Sequence, residues 1–375
     1  MAQKSNRKSQ AKQTEERKTE HIRICLDKDV KAKKISTGFE DVLLVHRALP
    51  EINQKDIDLS TQVFGHKFSV PLIVTGITGG TEKAFKINAS IAEAIEEHGI
   101  GMGVGSQRAA LENPKLERTY SIVRKKAPNA FIMANIGAPQ IKKIYNLSQI
   151  KKAIDMIDAD ALAVHLNPLQ EAVQPEGETN YYGILQKIGE LVESLDVPVI
   201  VKETGAGISA EDAKKLVDAG VSGIDVAGTG GTSWAGVEYY RAKQRGDVLG
   251  QEIGKDLWDW GIPTVITLVE AVQSVSVPVI TSGGVRTGSE VAKALALGAS
   301  LAGFALPILG PSLKGSGEVS MKLDMVIRQL RTVMFLVGAS SIKRLNTVPV
   351  IVGGKPAEWL LARGFNLVSY ARRGG

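Results

Sequence analysis

The strongest constraint on this chain is a rhythm that starts at residue 70. Short apolar, β-rich runs alternate with amphipathic helical stretches, and most runs exit on glycine or a polar residue. The strand candidates are 71–76, 100–105, 131–136, 160–166, 198–203, 223–228, 278–283 and 301–305. Helical patterns lie between and after them at 83–98, 114–126, 148–157, 182–194, 209–219, 264–274, 288–297 and 318–337. Several of these open on a capping signal, such as Ser209 or Ser289. The runs are apolar nearly throughout, as strands are when both faces of a sheet are covered. Eight strand–helix units in about 240 residues predict an α/β fold of the (β/α)8 TIM-barrel type, which suits them better than a doubly wound sheet. Val-Pro-apolar openings at 70–75, 197–202 and 277–282 mark strand entrances, so the strand exits are where a site is expected.

Two exits about 120 residues apart carry the densest chemistry, HLNPLQEAVQPEGE at 165–178 and SGGVRTG at 282–288. Gly283, Gly284 and Arg286 follow the seventh strand, and Ala305 and Leu306 follow the eighth. Barrels of this kind commonly grip a phosphate there with backbone amides and a short helix. His165, Asn167, Gln170 and Glu171 share one polar loop. Glu171 could hold Mg²⁺ through one oxygen, with water and a substrate phosphate completing the shell. The other exits bring Thr75, Gly76, Ile77 and Thr78, whose small residues allow a planar ring near the backbone. They also bring Ser106, the forked cation Arg108, Asn135, Lys202 and, in GTGGTSW, Thr232. A lysine ending an apolar strand is costly without an anionic partner. Lys202 could form a Schiff base, close a structural ion pair or face an electron-rich cofactor. No zinc-type spacing occurs.

Residues 1–16 are polar and charged and are expected to form a flexible tail, with one domain over 17–375 and the barrel at about 70–340. The basic cluster Arg17-Lys18-Thr19-Glu20-His21 could fold over a diphosphate. Net charge is +6, but much of the excess lies in that tail and at Arg372 and Arg373, and aromatics are only 5%. A nucleic-acid partner is therefore not expected. One cysteine, Cys25, permits no internal disulfide, which suits the cytoplasm. Residues 1–20 have no apolar core, so no secretory leader is expected, and no apolar run reaches membrane-spanning length. Residues 234–262 form a long insertion after the sixth strand with Trp234, Trp258 and Trp260, expected to shape a substrate pocket.

Together, ERKTEHI, VTGITGG, MGVGSQR, the Asn-Ile-Gly after the third strand, AVHLNPLQEAVQPEGE, VIVKETG, GTGGTSW and SGGVRTG resemble the type II, flavin-dependent isopentenyl-diphosphate isomerases, from about Arg17 to near residue 370. HLNPLQEAVQPEG is specific to that family; VTGITGG and SGGVRTG occur more widely among FMN barrels. The resemblance implies FMN contacts at Thr75, Gly76, Ile77, Thr78, Ser106, Asn135, Lys202 and Thr232. It implies a flavin phosphate on Gly283, Gly284, Arg286, Ala305 and Leu306. The substrate diphosphate would meet Arg17, Lys18, Arg108, His165, Asn167 and Thr204. Gln170 would lie beside the reacting carbons, and Glu171 would help bind Mg²⁺. His165, Gln170 and Lys202 are the implied catalytic residues. Ile77 and Thr204, often Met and Ser in the family, keep the apolar and hydroxyl character.

The implied reaction converts isopentenyl diphosphate to dimethylallyl diphosphate on reduced FMN, with NADPH as reductant, no net redox change and a homo-oligomeric assembly, tetramer or octamer. One proton is added to the terminal CH₂ and one leaves C2, through a tertiary carbocation. An amide does not titrate usefully, so Gln170 is expected to orient, and the flavin is the better acid–base candidate. Three rivals stand beside this reading. A 2-hydroxy acid oxidase would need a histidine base at or beyond the sixth exit, and no histidine follows His165. A catalytically silent FMN barrel would not require the Gln170–Glu171 pair. A Schiff-base aldolase at Lys202 would be exposed by borohydride trapping.

Overall fold

All eight predicted runs become strands of a single closed sheet in the computed structural model, which describes residues 2–143 and 146–374, with side chains from Thr14 onward except that of Lys143. β1 (Val42–Leu44) lies outside that sheet, and β2 (Thr61–Val63) and β3 (His66–Phe68) form a hairpin before it. The barrel then runs through β4 (Leu72–Val74), β5 (Gly101–Gly103), β6 (Ile132–Gly137) and β7 (Ala161–His165). It continues with β8 (Val199–Lys202), β9 (Gly223–Asp225), β10 (Val279–Thr281) and β11 (Leu301–Phe304). β11 pairs back onto β4 in parallel, Ala302 beside Leu72, which closes the ring. β12 (Val350–Val352) pairs antiparallel with β1, Val42 opposite Val352, as a clasp outside the barrel.

Side chains alternate across a strand, so every second residue of each barrel strand faces the lumen. In the lower part these positions are Ile73, Met133, Ala163, Ile200, Ile280 and Leu301, one apolar cluster shared with Phe68 and Phe131. The β2–β3 hairpin plugs that end. Phe64 and Gly65 take positive φ (53° and 76°), the pair of values a two-residue hairpin turn requires. The turn places Phe64 in a stack on Phe131 at 5.8 Å. Two residues further along the same lumen-facing register the chemistry changes. Thr75, Asn135, His165, Lys202, Asp225, Ser282 and Gly303 now form the layer, a polar ring, and all of them except Asp225 line the floor of the site. Outward-facing Leu72, Val74, Leu162, Val164, Val201 and Val226 pack under the surrounding helices.

The N-terminal helix, Ala2–Asp27, changes one expected boundary. The division between tail and domain predicted at residue 17 falls inside this helix, and Thr14 is already buried, donating to Glu112 Oε2 at 3.0 Å. Ile22 packs into the main core and Ile24, on another face, against Val30 and Val237, while Lys18, Glu20 and His21 find partners on other elements. The basic pair Arg17–Lys18 is thereby laid across the carboxyl end of the barrel. Met1 lies outside the described residues. No helix among the described residues is long and apolar enough to cross a membrane.

Candidate active site

Every candidate catalytic, cofactor, substrate and metal residue named from the sequence lines one cavity at the carboxyl ends of the strands. Its empty space, open mouth included, is about 1660 Å³. Arg17 and Lys18 from the N-terminal helix form its roof. Thr75, Gly76, Ile77, Thr78, Ser106, Arg108 and Asn135 form one wall. His165, Asn167, Gln170, Glu171, Lys202, Thr204 and Thr232 form the next, and Gly283, Gly284, Arg286, Ala305 and Leu306 close the circle.

The roof is strongly cationic. Lys18 Nζ donates to the Ser106 carbonyl and the Tyr120 hydroxyl, both at 2.6 Å. Arg108 Nε pairs with Glu112 Oε1 at 2.8 Å. Burial, with Arg17 and Arg108 close by, pushes the Lys18 ammonium down to about 7. Burial, then Arg108, lowers the pKa of Arg17 as well. Cations crowded this way are short of negative charge, and an anionic ligand would restore the balance.

His165 is held in one tautomer by its neighbours. Asn135 Nδ2 donates to the Val104 carbonyl at 2.9 Å, so Asn135 Oδ1 faces His165 Nδ1 at 2.7 Å as an acceptor. Nδ1 therefore carries the proton. Burial first, then Lys202, Lys18 and Arg17, pushes the imidazole down to about 3, so it is neutral with Nε2 unprotonated.

The loop after β7 folds at once into the helix Pro168–Val173, which gathers its polar side chains. Glu171 is buried rather than a solvated surface charge. Its Oε1 accepts from Asn167 Nδ2 at 3.0 Å, and its Oε2 from Gln174 Nε2 at 3.1 Å and the Glu178 amide at 2.6 Å. Gln170 is fixed at both ends: its Oε1 accepts from Asn167 at 3.2 Å, and its Nε2 points to Glu238 Oε1 at 3.5 Å. No group of three or more carboxylate, histidine or cysteine side chains is placed to hold a metal among the described residues. The buried Gln174 Oε1, which has no hydrogen-bond partner, does lie beside Glu171, giving one carboxylate and one carbonyl oxygen. Mg²⁺ binds in this manner only when water and phosphate supply the remaining ligands.

The glycines serve several different ends. A Cβ on Gly283 would strike the Gly228 carbonyl at 2.1 Å, and one on Gly231 the Gly284 amide at 2.4 Å. Gly283 and Gly284 also take φ of 94° and 81°. The loops after β9 and β10 thus approach backbone to backbone, an arrangement that suits a phosphate cradle. In the loop after β4 the expectation of room for a ligand ring is only partly met. Gly79 makes space for the chain's own Tyr120, whose ring would lie 2.0 Å from an added Cβ, and Gly76 makes space for the Val104 carbonyl. Of the three tryptophans in the insertion, Trp234 lines the main cavity. Trp258 and Trp260 border a smaller side cavity with Leu169 and Thr204.

Sequence reasoning passed over several residues. Arg241 is 2% exposed and binds three carboxylates, Glu20 at 3.0 Å and Glu176 and Glu238 at 2.6 Å. Burial works against its charge, but Glu238 and Glu176 hold its pKa above the ordinary value. His21 Nε2 meets the same Glu238 at 3.0 Å. This network ties the N-terminal helix, the 165–178 loop and the helix Trp234–Arg245 together. In sequence these are scattered surface-type charges, and nothing marks them as partners. Asp225, by contrast, carried the same signal as Lys202, a charge inside an apolar strand.

Comparisons with known proteins agree with this geometry. The model of the FMN-dependent dehydrogenase family matches residues 10–114 and 184–351. The stretch between, 115–183, holds Asn135, His165, Asn167, Gln170 and Glu171. The chain is 50% identical to the isopentenyl-diphosphate delta-isomerase of Methanosarcina acetivorans, over 96% of this chain and 97% of that protein. It is also 50% identical to the enzyme of that name from Pyrococcus furiosus, over 92% and 89%. Among solved structures it resembles a mandelate oxidase variant with a monooxide FMN adduct, at a TM-score of 0.60 and 22% identity, covering 85% of this chain and 90% of that one. A putative lactate oxidase of Pediococcus acidilactici superposes with a TM-score of 0.63 at 18% identity, covering 86% and 88%. The last two establish a shared barrel and nothing finer.

Proposed function

The chain belongs to the FMN-dependent dehydrogenase family and, within it, to the isopentenyl-diphosphate delta-isomerases, and from that premise we propose that its cavity converts isopentenyl diphosphate to dimethylallyl diphosphate beside a reduced FMN, with no net redox change. The observation that carries this reading is the meeting, in one cavity, of a glycine-lined phosphate end with a separate, anion-short cationic roof. Two phosphorylated ligands fit such a site, and one alone leaves half of it unexplained.

Thr75, Gly76, Ile77, Thr78, Ser106, Asn135, Lys202 and Thr232 would hold the flavin ring. Gly283, Gly284, Arg286, Ala305 and Leu306 would hold its phosphate. Reduced FMN supplies an electron-rich ring beside a cationic carbon skeleton and the proton-transfer positions that an amide such as Gln170 cannot. NADPH is the proposed reductant.

The chain's own residues bind, orient and exclude water. Arg17, Lys18 and Arg108 take the diphosphate, with Asn167 and Thr204 at its flank. His165, neutral in the free cavity, can donate from Nε2 only after gaining a proton. Gln170, clamped between Asn167 and Glu238, orients the reacting carbons without titrating. Trp234 shields the carbocation from water. Binding energy from the diphosphate, remote from the reacting carbons, is thereby spent on orientation.

Two expectations follow from the roof and the loop. Lys18 is charged below about pH 7 in the free enzyme, and a bound diphosphate raises its proton affinity. Affinity for the substrate is therefore full below that pH and falls as pH rises through it. KM measured from pH 6 to 9 should climb, with kcat less affected, and Lys18→Met should flatten the climb; a KM level across that range in the parent enzyme contradicts the assignment. At Glu171, a change to Gln should raise the Mg²⁺ concentration needed for half-maximal turnover by about tenfold or more, the effect typical of losing a ligand or its support. An unchanged Mg²⁺ titration removes Glu171 from the metal.

The reading as a whole is tested by anaerobic incubation with FMN, Mg²⁺, isopentenyl diphosphate and sub-stoichiometric NADPH. Dimethylallyl diphosphate in large excess over NADPH consumed is the expected result. Bound yellow flavin with no product would return the site to an oxidase or a silent flavin barrel.

A further inference from the structure

We propose that Asp225 is a positioning residue for the bound flavin, one that sets how much positive charge Lys202 presents to the ring. The inference rests on the FMN reading above and goes beyond it, since Asp225 does not line the cavity.

Register places Asp225 of β9 directly beside Lys202 of β8, in the polar lumen layer, where neighbouring strands run roughly 4.8 Å apart. Asp225 is fully buried. One carboxylate oxygen accepts from Ser282 Oγ at 2.6 Å. The other, Oδ2, has no hydrogen-bond partner among the described residues. A fully buried carboxylate with an idle oxygen is poorly explained as scaffolding, because an apolar residue or an amide would serve a barrel strand with less penalty.

The rest of the layer supplies no other acid. Thr75, Asn135, Ser282 and Gly303 are neutral, and His165 is a neutral imidazole bonded to Asn135. The nearest alternative, Glu203, has its Oε2 occupied by the backbone amides of Thr204, Gly205 and Ala206 at 2.5–2.6 Å. Lys202 Nζ itself donates to the Glu203 carbonyl at 2.5 Å and not to a carboxylate. Asp225 is thus the one carboxyl group of the layer, and it does not line the cavity that Lys202 borders. Burial favours its neutral form, and Lys202, the Ser282 hydroxyl and the Ala227 amide favour the carboxylate. As a carboxylate beside the ammonium in register, it offsets part of the Lys202 field at the ring.

The sign follows directly. Neutralising Asp225 leaves the Lys202 charge uncompensated, which favours the electron-rich reduced flavin. In FMN-loaded protein, Asp225→Asn, which keeps the acceptor for Ser282, should raise the two-electron midpoint potential by about 30 mV, a tenfold change in the reduction equilibrium. The measurement is anaerobic equilibration with reference dyes, run also in a Lys202→Met background, where the shift should largely vanish. An Asp225→Asn protein with full FMN and an unchanged potential overturns the proposal. So does a shift undiminished without Lys202. Should Asp225→Asn not fold, Ser282→Ala removes the Ser282 hydrogen bond that favours the carboxylate, shifts Asp225 toward its neutral form and should give a smaller rise of the same sign; no rise overturns the proposal. Failure of the parent protein to bind FMN would be a different result, and would remove the cofactor reading itself.

Discussion

Lys202→Ala is expected to cut turnover of isopentenyl diphosphate by about 10²–10³-fold, the loss typical when one preorganised charge is removed from a water-poor site. Lys202 is buried at the end of β8, beside His165 in register, and no other lysine or arginine shares its layer. No neighbouring side chain can move in to replace it. The strand should survive, because the deletion also relieves the burial of a charge, so FMN content and thermal midpoint are expected to change little. Product formation under single-turnover conditions, normalised to bound flavin, is the direct measurement. A variant with parental turnover at full flavin occupancy would take Lys202 out of the reaction. Borohydride treatment of the parent enzyme with substrate provides a cross-check, since an aldolase-type Schiff base would be trapped on this side chain and an isomerase would trap nothing.

The second large effect is on stability and on binding together. Arg241→Met should destabilise the protein by about 3–5 kcal/mol, because removing one partner strands the others as buried or half-buried charges. Glu238 is the most severely affected, being 1% exposed at its side chain and left with the His21 ring and the Gln170 amide. The same change frees the N-terminal helix, whose Glu20 loses its buried partner. Arg17 and Lys18 ride on that helix, so KM for the diphosphate should rise more than kcat falls. Urea titration gives the first quantity and steady-state kinetics the second. A variant that loses stability with an unchanged KM would mean that the ionic network supports the fold without positioning the roof.

The barrel was readable because its signal is repeated. Eight apolar runs with glycine or polar exits leave little freedom once both faces of each must be covered; seven of the observed strands fall inside their predicted spans, and β6 passes its own by one residue, Gly137. The cavity lining was readable for a related reason: the barrel places every strand exit at one rim, so residues far apart in sequence needed no further argument to meet. What escaped was pairwise. Arg241 with Glu20, Glu176 and Glu238 depends on how an insertion helix docks on the N-terminal helix, and charge spacing along the chain does not encode that. The first sixteen residues illustrate the same limit. Composition pointed to a flexible tail, yet Thr14 is buried against Glu112, a contact that exists only once the barrel offers a surface. Asp225 differs from these, for the rule that isolated Lys202 applied equally to its neighbour in the next strand.

The hairpin plug has a consequence for the order of events. With Phe64, Phe68 and Phe131 packed at the far end and Ile73, Met133, Ile200 and Ile280 filling the lumen above them, the described residues close that end, and the cavity opens at the other. A flavin seated on the polar ring would lie deeper than a diphosphate gripped by the roof. The traffic would then be last in, first out: substrate and product would exchange over a resident cofactor, and a slowly leaving diphosphate would lock the flavin in behind it.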